Sequence, residues 1–374
     1  MVCYKQAESH TLLVFTYSWL WWATCIAAAN NSLKPGDTLN TTSQLCSENN
    51  KYCIDFSPIN PNSSLDYTDL KITDNVNGDI VVWVANRNKR VNKDSAVLML
   101  NHSGVLKIES KDAKPIILYS SSQPLNNTEA TLLDTGNFVL QRLHPNGTKT
   151  LLWQSFDYPT DVLLPGMKLG VNHKTGHIWS LVSWLTESEP KLGAFSLEWE
   201  PIRREFIIKE RGRLCWTSGE LRNNNGFIYK TNYLVVSNND ESYFTITTSN
   251  EEHTLWTLLE TGQLINVNGE DPARADLCYG YNTDGGCQKW EEIPTCRNPG
   301  DTFEIKEVFV TLNQKTNLVN SSYGPSDCRA ICWKNCTCYG YKKYYDDGTG
   351  CSFLHWNSTE AATFAIGGEK FLIL

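Results

Sequence analysis

The chain has 374 residues, a fifth of them charged, with a mean hydropathy of −0.37 and a formal net charge of −8. That length allows two to four domains with several cores. No stretch concentrates Lys and Arg, which excludes a nucleic-acid surface built on clustered positive charge.

At the N-terminus Lys5 precedes the apolar run "TLLVFTYSWLWWATCIAAA", which closes on Ala27, Ala28 and Ala29. This is the layout of a secretory signal peptide over residues 1–29, cleaved after Ala29; its long aromatic core leaves a signal anchor as the alternative. No second apolar run of about 20 residues follows, and the closing "FLIL" is too short for a span or a lipid-anchor tail. The product is expected to be secreted. Nine N-x-Ser/Thr acceptors, at Asn30, Asn40, Asn62, Asn101, Asn126, Asn146, Asn320, Asn335 and Asn357, predict a glycosylated surface. Of 13 cysteines, Cys3 and Cys25 leave with the signal. The remaining 11 are odd in number, so at least one lacks an intrachain partner.

From about residue 33 to 270, β-branched and aromatic residues alternate with polar ones. Gly, Asn, Asp or Pro interrupt them every 8–12 residues or so, and no long 3.6-residue period occurs. "DIVVWVANR" (79–87) and "REFIIKERG" (204–212) are representative, and this region is expected to be all-β. Three segments, "LNHSGVLKI" (100–108), "LLDTGNFVL" (132–140) and "LLETGQLIN" (258–266), align on Gly104, Gly136 and Gly262. A reused turn-plus-strand unit predicts a barrel or prism of similar sheets.

Between the last two copies lies "LLWQSFDYPTDVLLPGMKLG" (151–170), with Trp153, Phe156 and Tyr158 set among leucines. It has neither a helical nor a strand period. It is expected to leave one β-unit and pack between it and the next, with Pro159 and Pro165 fixing turns and Asp157 and Asp161 capping backbone N–H groups.

The last third is dense in cysteine. "CYGYNTDGGCQKWEEIPTC" (278–296) is too short to bury its own core, and "DCRAICWKNCTCYGYKKYYDDGTGCSF" (327–353) holds five cysteines. Cys328, Cys332 and Cys336 are spaced i, i+4, i+8, which puts all three on one face of an expected helix. Cys338 and Cys351 follow in expected strands. C-x3-C-x3-C-x-C lacks the paired knuckles of a zinc site, and the signal peptide directs the thiols to an oxidising compartment, so disulfides are expected rather than metal.

Catalysis has little to rest on. No histidine lies in HExxH and no GxSxG elbow occurs. "HKTGH" (173–177) reads as a solvated loop because Gly176 breaks the helix face a metal pair would need. The acid pairs Glu187/Glu189, Glu251/Glu252 and Asp346/Asp347 read as surface loop residues. No catalytic group, metal or cofactor is expected.

The segments "VVWVANRNK" (81–89), "LLDTGNFVL" (132–140), "LWQSFDYPTDVLLPGMKLG" (152–170), "LVSWLTESEPKLGAFSLE" (181–198) and "CRAICWKNCTCYGY" (328–341) occur in this order. Together they resemble the ectodomain of plant S-domain receptor-like Ser/Thr kinases, which the secreted S-locus glycoproteins share. The resemblance covers nearly the whole mature chain. It implies a mainly β fold: a bulb-type lectin domain over 30–150, a second lectin-like domain over 151–272, a reduced EGF-like segment over 273–296 and a disulfide-rich α+β PAN/apple domain over 297–374. It also implies Cys46–Cys53 and Cys278–Cys287 pairs and three more among Cys296, Cys328, Cys332, Cys336, Cys338 and Cys351. Within those six the connectivity stays open, with Cys328–Cys351 and Cys332–Cys338 as candidates. Cys215, where the family has an aromatic residue, is the candidate free thiol.

Two departures bear on function. No glycine-rich loop, HRD or DFG motif is present, so the kinase of the full-length receptors is not expected here. In sugar-binding bulb lectins one strand carries Q-x-D-x-N-x-V-x-Y, whose polar groups bond mannose hydroxyls. Leu133, Thr135, Asn137, Val139 and Gln141 take those five places. Asn137 and Val139 survive while the carboxylate and phenol are lost, which predicts a degenerate, inactive site at Asn137, Val139 and Gln141; the "LNHSGVLKI" copy has Lys107 in place of the valine. The resemblance therefore implies a secreted, apoplastic recognition glycoprotein, homo- or heterodimeric, that binds a peptide or protein ligand or a related receptor ectodomain in pollen recognition or defence. The alternatives are a mannose-binding lectin and the truncated outer part of a plasma-membrane receptor kinase.

Overall fold

The computed structural model describes residues 31–59, 66–111, 113–221, 232–247, 254–309, 314–355, 363–364 and 368–374. The expected signal peptide, Asn30, Asn62 and Asn357 lie outside the described residues.

Period-2 burial builds the first unit. Tyr67–Asp74, Val97–Leu100, Leu106–Glu109 and Thr128–Leu132 each alternate covered and open residues, as strands with one face on a core do. These strands belong to three antiparallel sheets of four main strands. One runs Gln44–Cys46, Tyr52–Ser57, Tyr67–Asp74, Ile80–Val84, with the short strand Val91–Asn92 also paired to Tyr67–Asp74. Another runs Thr38–Asn40, Val97–Leu100, Leu106–Glu109, Ile116–Tyr119, and the third Ser32–Leu33, Thr128–Leu132, Phe138–Leu143, Lys149–Gln154. Their inner faces meet on Ile54, Leu70, Ile72, Leu98, Leu106 and Phe138, all fully buried. This is a β-prism.

A second prism follows with the same plan. Its sheets are Val162–Leu163, Trp256–Leu258, Gln263–Asn266, Ala273–Arg274; then Ile178–Trp179, Leu169–Asn172, Glu241–Ile246, Tyr233–Ser237; then Leu181–Thr186, Glu189–Glu200, Glu205–Glu210, Arg213–Thr217. Aromatic rings fill it. Phe206 lies 5.0 Å from Trp199 and 4.7 Å from Phe244, and Phe244 stacks on Trp256.

The repeated glycines all sit in one turn design. Gly136 N–H bonds Leu133 O and Leu133 N–H bonds Asn137 O; Gly262 N–H bonds Leu259 O and Leu259 N–H bonds Gln263 O. Gly104 closes on Asn101 in the same way. At Gly136 and Gly262 the φ angles of 83° and 90° and the absence of room for a Cβ (Leu164 Cδ1 and the Phe195 ring at 2.7 Å) both demand glycine.

Residues 275–296 hold no strand, only two 3-10 turns, Ala275–Leu277 and Asp284–Gly286, and the Cys278–Cys287 disulfide. They lean on the second prism: Gln288 N–H bonds Cys215 O and Trp216 Nε1 donates to Gly285 O at 2.7 Å. One continuous core runs from Leu33 through both prisms to Cys287.

The last unit is α+β, with the helix α1 (Pro325–Lys334) packed on a six-stranded antiparallel sheet. Pro325 opens the helix where its missing N–H costs nothing, and Asp327 accepts the Gly324 N–H at 2.9 Å. The helix ends at Lys334 because Asn335 turns to extended backbone. Cys336 is therefore beyond the helix and does not share its cysteine face, unlike the i, i+4, i+8 expectation. Cys328 bonds to Cys351 and Cys332 to Cys338, joining helix to sheet, while Cys336 bonds to Cys296; Cys46–Cys53 is the fifth bridge. Cys215 is a buried free thiol.

Candidate functional site

The strand that would carry a sugar site has turned its polar group inward. Leu133 and Thr135 are exposed, Gln141 is half-buried, and Asn137 and Val139 are buried. The Asn137 Nδ2 donates to Gln154 Oε1 at 2.9 Å, and its Oδ1 accepts from Ser155 Oγ and Phe156 N–H, both at 3.3 Å. Asn137 thus holds the 3-10 turn Ser155–Asp157 through which the chain leaves the first prism. In the other copy Lys107 bonds Glu109 at 2.5 Å.

Residues 151–170 connect the prisms: Lys149–Gln154 ends the first and Val162–Leu163 begins the second. Trp153 lies 6.1 Å from Trp83 and 6.2 Å from Phe138 and stacks on Tyr158 at 5.9 Å. Trp83 Nε1 donates to Tyr158 O at 2.9 Å. The acids of this stretch do not principally cap backbone. Asp157 Oδ1 accepts from Gln154 Nε2 and Trp179 Nε1, and Asp161 Oδ1 accepts from Trp184 Nε1 at 2.6 Å. His177 is also not simply solvated. Its Nε2 is 2.7 Å from Asp157 O, and the ring sits edge-on between Tyr158 and Trp179.

Two arginines of the first prism clamp the second. Arg87 donates from Nε to Pro190 O at 2.7 Å, from Nη1 to Val182 O at 2.9 Å and from Nη2 to Ser183 O at 2.8 Å. Burial lowers its pKa to about 10, opposed by Asp161. Burial likewise pushes the Asp161 carboxyl up to about 6, although Arg87 and the Trp184 indole draw it down. Arg90 pairs with Glu189, which also holds Lys191 at 3.3 Å. Asp69 is pushed up to about 6 by burial and by the Glu189 charge, against Arg90, Lys71 and Asn86. Nothing in the sequence marked Arg87 or Arg90 for this role.

An open groove of about 460 Å³ lies along this seam, lined by Trp83, Lys89, Ile117, Trp153, Tyr158 and Leu192 among others. Ile117, Tyr158 and Leu192 are each about half exposed there. Ligand pockets commonly measure ~300–1,000 Å³. The last module also docks on the second prism, partly on the same hairpin that Arg87 and Arg90 hold. Arg211 bonds Asp327, and Thr186 and Ser188 donate from Oγ1 and Oγ to Asp347 O at 2.6 and 3.0 Å.

Two β-prisms, a seam groove and a disulfide-stapled helix on a sheet define a lectin-fold chain with an appended PAN-type module. Residues 80–185 match the D-mannose binding lectin family and residues 296–359 the PAN-like domain family. A G-type lectin S-receptor-like serine/threonine-protein kinase of Arabidopsis thaliana, CES101, is 31% identical over 331 residues, covering 74% of this chain and 38% of the kinase. The S-locus-specific glycoprotein BS29-1 of Brassica oleracea var. alboglabra is 25% identical, covering 78% of each. A monomeric monocot mannose-binding lectin from Gastrodia elata aligns at 18% identity over 34% of this chain and 96% of its own, with a TM-score of 0.26, too slight to carry an argument. The chain carries a D-mannose binding lectin domain and a PAN-like domain, and its homologues are G-type lectin S-receptor-like kinases and S-locus glycoproteins. It spans about two fifths of the length of the curated receptor kinases it matches. Among the described residues no helix is long and apolar enough to cross a membrane.

Proposed function

We propose that this chain is an extracellular recognition module that binds a peptide or protein ligand, or a related receptor ectodomain, and does not bind mannose. The observation that carries this is Asn137. Its amide is committed to Gln154, Ser155 and Phe156, and Val139 is buried, so a sugar entering there would meet neither group. Sugar hydroxyls left without partners cost about 1–3 kcal/mol each. The module works by binding and has no catalytic role. It would serve alone or as the outer part of a longer receptor.

An extracellular setting is supported by the disulfides and by the sequons. Asn40, Asn126, Asn146, Asn320 and Asn335 are exposed and Asn101 is half-buried. The test is retention of the glycan-trimmed chain on mannose-agarose, run beside capture of candidate peptide ligands. We expect flow-through on mannose. Retention that free mannose competes away would overturn the proposal.

A further inference from the structure

The seam groove runs between two strands that end their sheets. Ile116–Tyr119 pairs only with Leu106–Glu109, and Ile80–Val84 only with Tyr67–Asp74, among the described residues. In each strand one row of backbone N–H and C=O groups therefore has no ladder partner, a template onto which another extended chain can hydrogen-bond. The edge at Ile116–Tyr119 carries a bulge: the register steps from Ile117 opposite Lys107 to Tyr119 opposite Leu106, leaving Leu118 as the extra residue. A bulge ends pairing locally and re-aims side chains. Here Ile117, half exposed, joins Tyr158 and, from the second prism, Leu192 on the groove wall. Three half-exposed apolar side chains thus converge on one concave site.

Its charge has one sign. The charged side chains lining the groove are Arg87 and Lys89, with no carboxylate among the lining residues. Arg87 spends its hydrogen bonds on three carbonyls of the second prism. Lys89 is exposed and, among the described residues, is in no ion pair and no side-chain hydrogen bond. Lys114, just ahead of the edge strand, is in the same condition. Natural sheet edges often carry lysine to discourage pairing with other chains, yet the same lysine favours a strand that brings an acid.

We infer that the groove between the two prisms is a docking site for an extended peptide segment, which adds as a strand along Ile116–Tyr119 and sets an Asp or Glu side chain beside Lys89. Its alternate apolar side chains fill the space between Ile117, Tyr158 and Leu192. This site is separate from the degenerate sugar strand, and the inference rests on the chain being a binder of peptides, as proposed above.

The test is selection of random octapeptides displayed on phage against the full glycan-trimmed chain, with each enriched peptide then titrated by fluorescence anisotropy. Two variants accompany the native chain. Ile117→Lys places a charge on the groove wall at a half-exposed side chain, and Lys89→Glu reverses the charge of an exposed one. Normal secretion and an unchanged melting temperature establish that each variant is folded. We expect enriched peptides to alternate apolar residues around an acid and to be poor in proline. Ile117→Lys should weaken them at least tenfold, and Lys89→Glu should weaken acidic peptides about tenfold while strengthening their lysine-substituted counterparts. Should Ile117→Lys misfold, the Lys89→Glu arm decides alone. Enriched peptides that bind both variants as tightly as the native chain would overturn the groove and leave peptide recognition standing. Failure to enrich any peptide would overturn the groove, and competable mannose retention would overturn the function on which it rests.

Discussion

Arg211 holds Asp327 by two parallel hydrogen bonds, Nε to Oδ1 at 2.9 Å and Nη2 to Oδ2 at 2.6 Å, across 116 positions of sequence. Asp327 is largely buried and also accepts the Gly324 N–H that begins α1. One carboxylate therefore both caps the helix and ties the last module to the second prism. The hydrogen bond to Asp327 raises the Arg211 pKa, outweighing its partial burial.

Arg211→Ala removes the clamp and leaves Asp327 with only its cap. We expect the chain to be secreted, with the last module destabilised by about 1–3 kcal/mol, the range for a buried polar group losing its partner. Calorimetry should show a separate lower transition for residues after 296 and no change in the main one. A single unaltered transition would argue that the docking rests on Thr186, Ser188 and Asp347 instead.

Arg297 should matter more. Its buried guanidinium donates to the carbonyls of Trp333, Cys332, Asn335 and Cys338 at 2.7–3.1 Å, closing the C-terminal end of α1. The Cys332 and Trp333 carbonyls lie in the last turn, where a helix runs short of N–H partners, and those of Asn335 and Cys338 lie just beyond it. Arg297→Lys keeps the charge but cannot reach four acceptors from one planar fork. A loss of about 1–3 kcal/mol for each carbonyl left without a partner is expected, read as reduced secretion and greater protease sensitivity of the α1 region.

The seam should make the chain more stable in mild acid than at neutral pH. Asp161 and Asp69 are each raised to about 6, burial being the largest cause for both. The folded chain therefore holds more protons than the unfolded one between about pH 4 and pH 6. Their contribution is present below about pH 4 and is lost as pH rises through 6. The loss is on the order of 1–3 kcal/mol for fully buried Asp161 and less for half-buried Asp69, whose shift is screened by solvent. Denaturation midpoints measured from pH 5 to 7.5 should fall, and Asp69→Asn should flatten part of that slope. At the acid end Glu369, whose pKa is lowered by Lys315 and Lys342, acts in the opposite sense. A midpoint independent of pH over this window would refute the assignment.

Restoring the missing sugar-contact residues should not restore sugar binding. Leu133→Gln, Thr135→Asp and Gln141→Tyr together rebuild the strand motif, yet Asn137 and Val139 stay covered. We expect the triple variant to pass through mannose-agarose unretained. Asn137→Ala, by contrast, should lower stability by about 1–3 kcal/mol by releasing the Ser155–Asp157 turn, seen as an earlier thermal transition.

Most of the fold class is local information and was legible in the sequence. Alternation in "DIVVWVANR", the glycine turns at 104, 136 and 262, and the run of cysteines after 327 each concern neighbours within about ten residues. Period and turn chemistry act at that range, so they specify strands, prism-like repetition and a stapled module. The helix boundary is the local feature that misled. The i, i+4, i+8 spacing extended the helix to Cys336, whereas Asn335 turns the chain and Cys336 reaches back to Cys296.

What the sequence by itself determined is thus a mainly β lectin-type chain that resembles the S-domain family, with a cysteine-rich end. Tertiary structure alone decided which cysteines of 296–351 meet and that Asn137 is a structural anchor. It also decided which carbonyls Arg87 and Arg297 satisfy and that residues of two sheet-ending strands line one groove with Arg87 and Lys89. Apart from Cys332 and Cys338, six positions apart, these partners are well separated in sequence, from 17 positions for Asn137 and Gln154 to 103 for Arg87 and Pro190. The reason is physical: a buried guanidinium or amide must find acceptors wherever packing brings them, and packing depends on the whole set of sheets rather than on any one stretch of residues.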